Sequence, residues 1–136
     1  MSVVSTGVYE GNLKLTLIHG PSGARITTAA PKDNMGDGSS FSPTDLLAAA
    51  VGSCVLSVIG IVAQRDNIDL KGAHFRVEKY MSESPRRVRQ LNLDVHLPAG
   101  LDAPMRRKFE ATGNTCPVKK SLSQAVNINL VYHYDV

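Results

Sequence analysis

The stretch Ser42-Pro43-Thr44-Asp45-Leu46-Leu47-Ala48-Ala49-Ala50-Val51-Gly52-Ser53-Cys54-Val55-Leu56-Ser57-Val58-Ile59-Gly60-Ile61-Val62-Ala63-Gln64 decides the fold. The Ser42 hydroxyl can accept from an orphan N–H of a first helical turn. Pro43 suits the first helical position, and Asp45 stands where a capping-box acid reaches back, so a helix starts here. No charge follows from Leu46 to Gln64, and apolar side chains point in every direction around the helical period. That pattern predicts a core helix buried on most of its faces. The run approaches the length of a membrane span, but Gly52, Ser53, Ser57 and Gly60 interrupt it and no aromatic or basic belt flanks it. No membrane association is therefore expected. The small residues let other backbone come close, and the helix carries a cysteine.

Upstream, Leu13, Leu15 and Leu17 alternate with Lys14 and Thr16, Gly20-Pro21-Ser22-Gly23 makes a turn, and Arg25-Ile26-Thr27-Thr28 has the composition of a return strand. From Ala29 to Ser42 the chain turns polar and irregular, a loop long enough to suggest a function. Downstream, Phe75 to Tyr80 alternates weakly, and Leu91, Leu93, Val95 and Leu97 alternate strictly with Gln90, Asn92, Asp94 and His96. The second run predicts a strand with one core face and one wet face. Asp102 can cap a helix that buries Met105 and Phe109 and turns Arg106, Arg107 and Lys108 to water. Thr115-Cys116-Pro117-Val118 opens another helix, expected to reach about Ala125, and Val126 to Tyr134 closes the chain as a strand. Helices and strands are segregated, so the class is α+β.

At 136 residues the chain is expected to form one domain over residues 1–136, with a core that needs no staples. Fifteen basic against 12 acidic residues leave a net charge of +3, too mild to argue for nucleic acid. The clusters Arg86-Arg87-Val88-Arg89 and Arg106-Arg107-Lys108 lack aromatic interleaving, in a chain with no tryptophan, 4 tyrosines and 3 phenylalanines, and read as solvated faces. Met1 to Thr6 has neither a basic nor an apolar leader region, so a cytoplasmic location is expected.

Only two cysteines occur, Cys54 and Cys116, far apart in sequence. In a reducing compartment they are either packed thiols or a redox or nucleophilic site. Cys54 lies mid-helix, where no free N–H groups favour a thiolate. Cys116 lies at a helix start, where the dipole and unpaired N–H donors lower a thiol pKa. His19, His74, His96 and His133 show no metal spacing and read as surface or strand-edge residues, so no metal is expected. Gly36-Asp37-Gly38 lacks the residues of a phosphate loop.

The segment Ser42 to Cys54, together with Cys116-Pro117-Val118 followed by a strand, resembles the OsmC/Ohr family over nearly the whole chain. The resemblance implies an α+β intertwined homodimer, with antiparallel sheets packed on long central helices. It implies a thiol-dependent peroxidase acting on small organic hydroperoxides, with no cofactor and with an external dithiol reductant. Cys54 would attack the peroxide and Cys116 would resolve the product. An N-terminal arginine supports the thiolate in that family, and Arg25 is the only lysine or arginine between Lys14 and Lys32. The supporting acid of peroxidase members falls at Thr44, with Asp45 beside it. Cys54 lies ten residues beyond Thr44, roughly 15 Å along a straight helix. Any help that position 44 or 45 gives a thiol must therefore come from a second copy or from a helix broken near Gly52. Thr44 at the acid position and the apolar helix surface also admit a different function, a non-catalytic dimer that binds a small hydrophobic ligand.

Overall fold

The computed structural model describes residues 1–136, and the backbone divides into two compact units, residues 1–47 and 48–136. The first unit is an antiparallel meander of β1 (Ser5–Gly11), β2 (Lys14–His19) and β3 (Arg25–Ala29), followed by a single 3-10 turn at Lys32–Asn34. The β2–β3 hairpin is the one that the leucine alternation and Gly20-Pro21-Ser22-Gly23 predict. β1 is not foreseen, because Ser5 to Gly11 carries no apolar alternation and all of it except Gly11 is exposed. Its strand form comes from pairing with β2, Ser5 opposite His19 through Gly11 opposite Lys14.

The long loop after β3 is folded back on the hairpin. The Ala29 N–H donates to the Phe41 carbonyl at 3.0 Å, and the Gly36 N–H donates to the Pro31 carbonyl at 2.9 Å. A Cβ at Gly36 would lie 1.8 Å from the Ala30 carbonyl oxygen, so only glycine fits that crossing. The loop delivers Ser42 to the start of α1 (Pro43–Arg65). There the capping box closes as expected. The Asp45 N–H donates to Ser42 Oγ at 3.1 Å, and the Ser42 N–H donates to Asp45 Oδ2 at 2.9 Å.

In the second unit, β4 (His74–Glu83), β5 (Arg86–Leu97) and β6 (Asn127–Tyr134) form a sheet in that order, with α2 (Ala103–Gly113) and α3 (Pro117–Ser121) between β5 and β6. β4 and β5 are antiparallel, whereas β6 runs parallel to β5. This corrects the expectation of purely antiparallel sheets. The segment from Pro98 to Val126, with its two helices, is a crossover that returns the chain to the same end of the sheet, which a parallel pair requires. β5 buries Val88, Leu91, Leu93, Val95 and Leu97, the last four each at most 1% exposed, and the core of this unit also takes Ala48, Val51, Val55, Ile59 and Ala63 of α1, Phe109 of α2 and Cys116.

Two glycines set the close approaches in this unit. A Cβ at Gly52 would fall 2.4 Å from the Phe75 ring of β4, and one at Gly113 would fall 2.2 Å from the Tyr132 hydroxyl and 3.3 Å from Val55. Bare backbone therefore lets α1 lie on β4, and lets the end of α2 wedge between β6 and α1. The buried residues of α1 are Ala48, Val51, Gly52, Val55, Ile59 and Ala63. This is one stripe rather than most of the surface, since Ser53, Ser57 and Gln64 are exposed and Ile61 is 51% exposed. α1 is also long and apolar enough to cross a membrane by length and composition, a test that core helices pass as well.

α2 starts where expected, with Asp102 Oδ1 accepting from the Met105 N–H at 2.9 Å. Arg106 departs from its expected place in water. Its guanidinium lies 4.2 Å from the centre of the Tyr134 ring and donates to the Leu101 and Ala99 carbonyls. α3 is shorter than expected, ending at Ser121 because Leu122 is extended (φ −82°, ψ 152°).

Candidate functional site

The second unit brings Cys54 and Cys116 together. Cys116 caps α3, with its Sγ accepting from the Lys119 N–H at 3.4 Å, and it is fully buried. Pro117 in the first turn lacks an N–H to contribute, which suits the position. The turn before it is tied to α2, since the Cys116 N–H donates to the Gly113 carbonyl at 3.3 Å. From there the thiol faces α1. Cys116 Sγ lies 4.0 Å from the Val51 carbonyl oxygen, a weak S–H···O contact, and the Cys54 side chain is within hydrogen-bonding reach of it. Val51 and Cys54 are three residues apart, so they project from the same side of the helix. Both cysteines are free thiols, and Cys54 is partly exposed where Cys116 is not.

The electrostatics at Cys116 overturn one expectation. The helix start supplies N–H groups from Lys119 and Val118 that favour a thiolate, but burial and the adjoining Cys54 thiol outweigh them, so the Cys116 thiol is pushed above its ordinary range. Desolvation wins because the five-residue α3 offers few donors to a fully buried sulfur. Two phenols tied to Glu110, of which Tyr132 feels the Cys116 thiol, are a feature that sequence reading missed. The Tyr132 hydroxyl donates to the Glu110 carbonyl at 3.4 Å, and the Tyr134 hydroxyl donates to Glu110 Oε2 at 2.5 Å. Burial, then the Glu110 charge, then Cys116 push Tyr132 up to about 12.

The other candidate residues lie in the first unit. Arg25 opens β3 and lines a hollow of about 340 Å³ with Ile26, Thr27, Ser40, Phe41 and Leu46. Ile26 and Phe41 are 51% and 53% exposed, so the guanidinium shares this hollow with bare apolar surface. Phe41 was not singled out from the sequence, where it sat in a polar loop without periodicity. Thr44 and Asp45 serve the helix start. Thr44 Oγ1 is 3.3 Å from Ser42 Oγ, and Asp45 holds the capping box. No three His, Cys, Asp or Glu side chains converge on one point.

A family model described as OsmC-like protein matches residues 36–131. Among solved structures, the chain is similar to a candidate osmotic stress induced and detoxification response protein from Psychrobacter arcticus 273-4. The two are 40% identical with a TM-score of 0.91, over 95% of this chain and 94% of the other. It is also similar to an organic hydroperoxide resistance protein OsmC from Legionella pneumophila, at 20% identity and a TM-score of 0.72 over 98% and 97% of the two chains. An organic hydroperoxide resistance protein from Elizabethkingia anophelis shares the fold at 14% identity and a TM-score of 0.76, over 99% and 97%. A search of curated proteins found no match.

Proposed function

The chain belongs to the OsmC-like family, and from that premise we propose that it is a thiol-based redox enzyme that reduces organic hydroperoxides. The observation that carries the reading is the meeting of Cys54 and Cys116, 62 residues apart in sequence (116 − 54), at one point of the second unit. Exposure supports the division of roles in which Cys54 attacks and Cys116 resolves, since Cys54 is partly exposed and Cys116 is buried. The Cys54 thiolate attacks the terminal peroxide oxygen and the O–O bond breaks. The alkoxide leaves and takes a proton as the alcohol, and Cys54 becomes a sulfenic acid. Cys116, held as a thiol, then condenses with it to a disulfide and releases water. An external dithiol returns two electrons and two protons. No cofactor enters this cycle.

Arg25 is the residue we assign to thiolate support, and its hollow of Ile26, Phe41 and Leu46 has the apolar character that an organic peroxide needs. The reading also carries a homodimer. The open face of α1 leaves Ile61 half exposed, and Thr44 and Asp45 stand roughly 15 Å from Cys54 along the helix, so they can assist only a second copy. Two proteins of this fold are described as organic hydroperoxide resistance proteins, which supports the substrate class.

Peroxide consumption with a dithiol reductant tests the proposal. Cys54→Ser is expected to lose turnover, Cys116→Ser to stop after one equivalent with a trappable sulfenic acid, and Arg25→Gln to slow the attack. Equal rates for the intact protein and Cys54→Ser would sink it. The same apolar hollow favours the second reading, a non-catalytic dimer that holds a small hydrophobic ligand, for which the two cysteine variants would bind the ligand as the intact protein does and no form would turn over peroxide.

A further inference from the structure

Between the end of α3 and the start of β6, the second unit carries a hollow of about 340 Å³ whose lining residues take no part in the proposed thiol chemistry. Its surroundings are basic. Lys119 and Lys120 line it, and the Arg87 guanidinium donates at 3.2 Å to the Ala125 carbonyl, on the turn that leads into β6. No acidic side chain lines it, and the chain has no aspartate or glutamate from Ala111 to Tyr134. The Lys119 ammonium makes one long contact, 3.4 Å to Asn114 Oδ1, which takes at most one of its three hydrogens. The rest of the hollow is partly apolar. Leu122 leaves the helix in an extended conformation, and the Val126 N–H donates to the Ser123 carbonyl at 3.0 Å, so the chain turns back and brings Leu122, Val126 and Ile128, each half-buried, to the same hollow. Ser123 Oγ accepts from the Ala125 N–H at 3.1 Å, which leaves its own hydrogen free to donate.

Two ammonium groups without an acid beside them attract an anion, and half-buried apolar side chains gain when something covers them. A single ligand meets both demands if it has a charged end and a hydrocarbon end. We propose that this hollow binds a small aliphatic carboxylate, its carboxylate held by Lys119 and Lys120 and its chain lying on Leu122, Val126 and Ile128. The carboxylate accepts charge-assisted hydrogen bonds from both ammonium groups and one more from the Ser123 hydroxyl. An inorganic anion would leave the apolar lining wet, and a neutral hydrocarbon would leave the lysines unmatched. The volume stands near the lower end of the roughly 300–1,000 Å³ of small-molecule sites, which restricts the hydrocarbon to a short one. Lys119 is one helical turn past Cys116, whose Sγ accepts from its N–H at 3.4 Å. The site therefore adjoins the buried thiol without including it.

Titration of the intact, reduced protein with hexanoate, followed by amide chemical shifts near neutral pH, tests this. Saturable shifts are expected at Asn114 and from Lys119 to Ile128. The double variant Lys119→Gln, Lys120→Gln should weaken binding about tenfold, the scale of two partly exposed charge-assisted contacts, and added salt should weaken it in the parent. Lys120→Gln alone, at an exposed position, serves should the double variant not fold, and a smaller loss is expected from it. Hexanamide, with the same chain and no charge, should bind more weakly than hexanoate, and so should inorganic phosphate, which has no chain. The assignment fails if no saturable shifts occur at these residues, if they occur only around Arg25, if the lysine variants bind as the parent does, or if hexanamide or phosphate binds as tightly as hexanoate.

Discussion

Replacing Gly113 by alanine probes the packing that holds the Cys116 turn. The new Cβ would lie 2.2 Å from the Tyr132 hydroxyl oxygen, 3.2 Å from the ring carbon that bears it, and 3.3 Å from Val55 Cγ1. Relieving the first contact means swinging a half-buried ring or lifting the end of α2, and overpacking of this kind costs about 1–3 kcal/mol. Alanine in place of a helical glycine gives back about 0.5–1 kcal/mol through the unfolded chain. The net expectation is a loss of about 1–2 kcal/mol. Tyr132→Phe removes the offending oxygen and forfeits only a long hydrogen bond to Glu110, 3.4 Å. In that background the nearest ring atom stands at 3.2 Å, a tight contact that a small shift absorbs. Gly113→Ala should then be neutral or stabilising by up to about 1 kcal/mol. Urea unfolding of the four proteins at constant m closes the cycle. If Gly113→Ala costs the same in both backgrounds, the hydroxyl is not what excludes the methyl group and the reasoning is wrong. Because the Cys116 N–H hangs on the Gly113 carbonyl, the single variant should also form the Cys54–Cys116 disulfide more slowly than the double one.

Other outcomes follow from single contacts. Ser42→Ala removes half of the capping box and is expected to cost about 1 kcal/mol in urea unfolding. The unfolded chain loses the Tyr132 proton near 10.0, whereas the folded protein holds it to about 12. Between those values the unfolded state binds fewer protons, so stability should fall as pH rises through that window. Tyr132→Phe should flatten the fall, as read from urea midpoints across the range.

The helix start, the hairpin, β5 and the Asp102 cap were legible because each rests on a local signal: a capping pair, a turn flanked by alternation, or strict period two. What escaped the sequence depends on partners. β1 is a strand only because β2 lies beside it. The Ala29 to Ser42 loop folds through backbone bonds such as that from Gly36 to Pro31 and through the Lys14–Asp37 ion pair and the Ser40 bond to Thr27, none of which shows as periodicity along the chain. The parallel setting of β6 depends on the path of the crossover, and its alternation would serve either direction. The histidines show the same limit. His74, His96 and His133 have no useful spacing along the chain, and only the register of three strands makes them neighbours. For Cys116, the helix start was read correctly, but its effect on the thiol was not, because burial is a tertiary quantity.

That reversal bears on how the two thiols divide their work. A low pKa at Cys116 would have made both sulfurs competing nucleophiles. In the proposed peroxidase cycle, a buried thiol pushed upward, capped by the Lys119 N–H and facing the Val51 carbonyl, would be held as the thiol while Cys54 meets the substrate. In that cycle, once Cys54 is a sulfenic acid, Cys116 gives up its proton as its sulfur attacks the Cys54 sulfur, and the proton leaves with the hydroxyl oxygen as water. The asymmetry also predicts the order of damage under excess peroxide. Over-oxidation should accumulate on Cys54, and peptide mass spectrometry that found it first on Cys116 would invert the assignment.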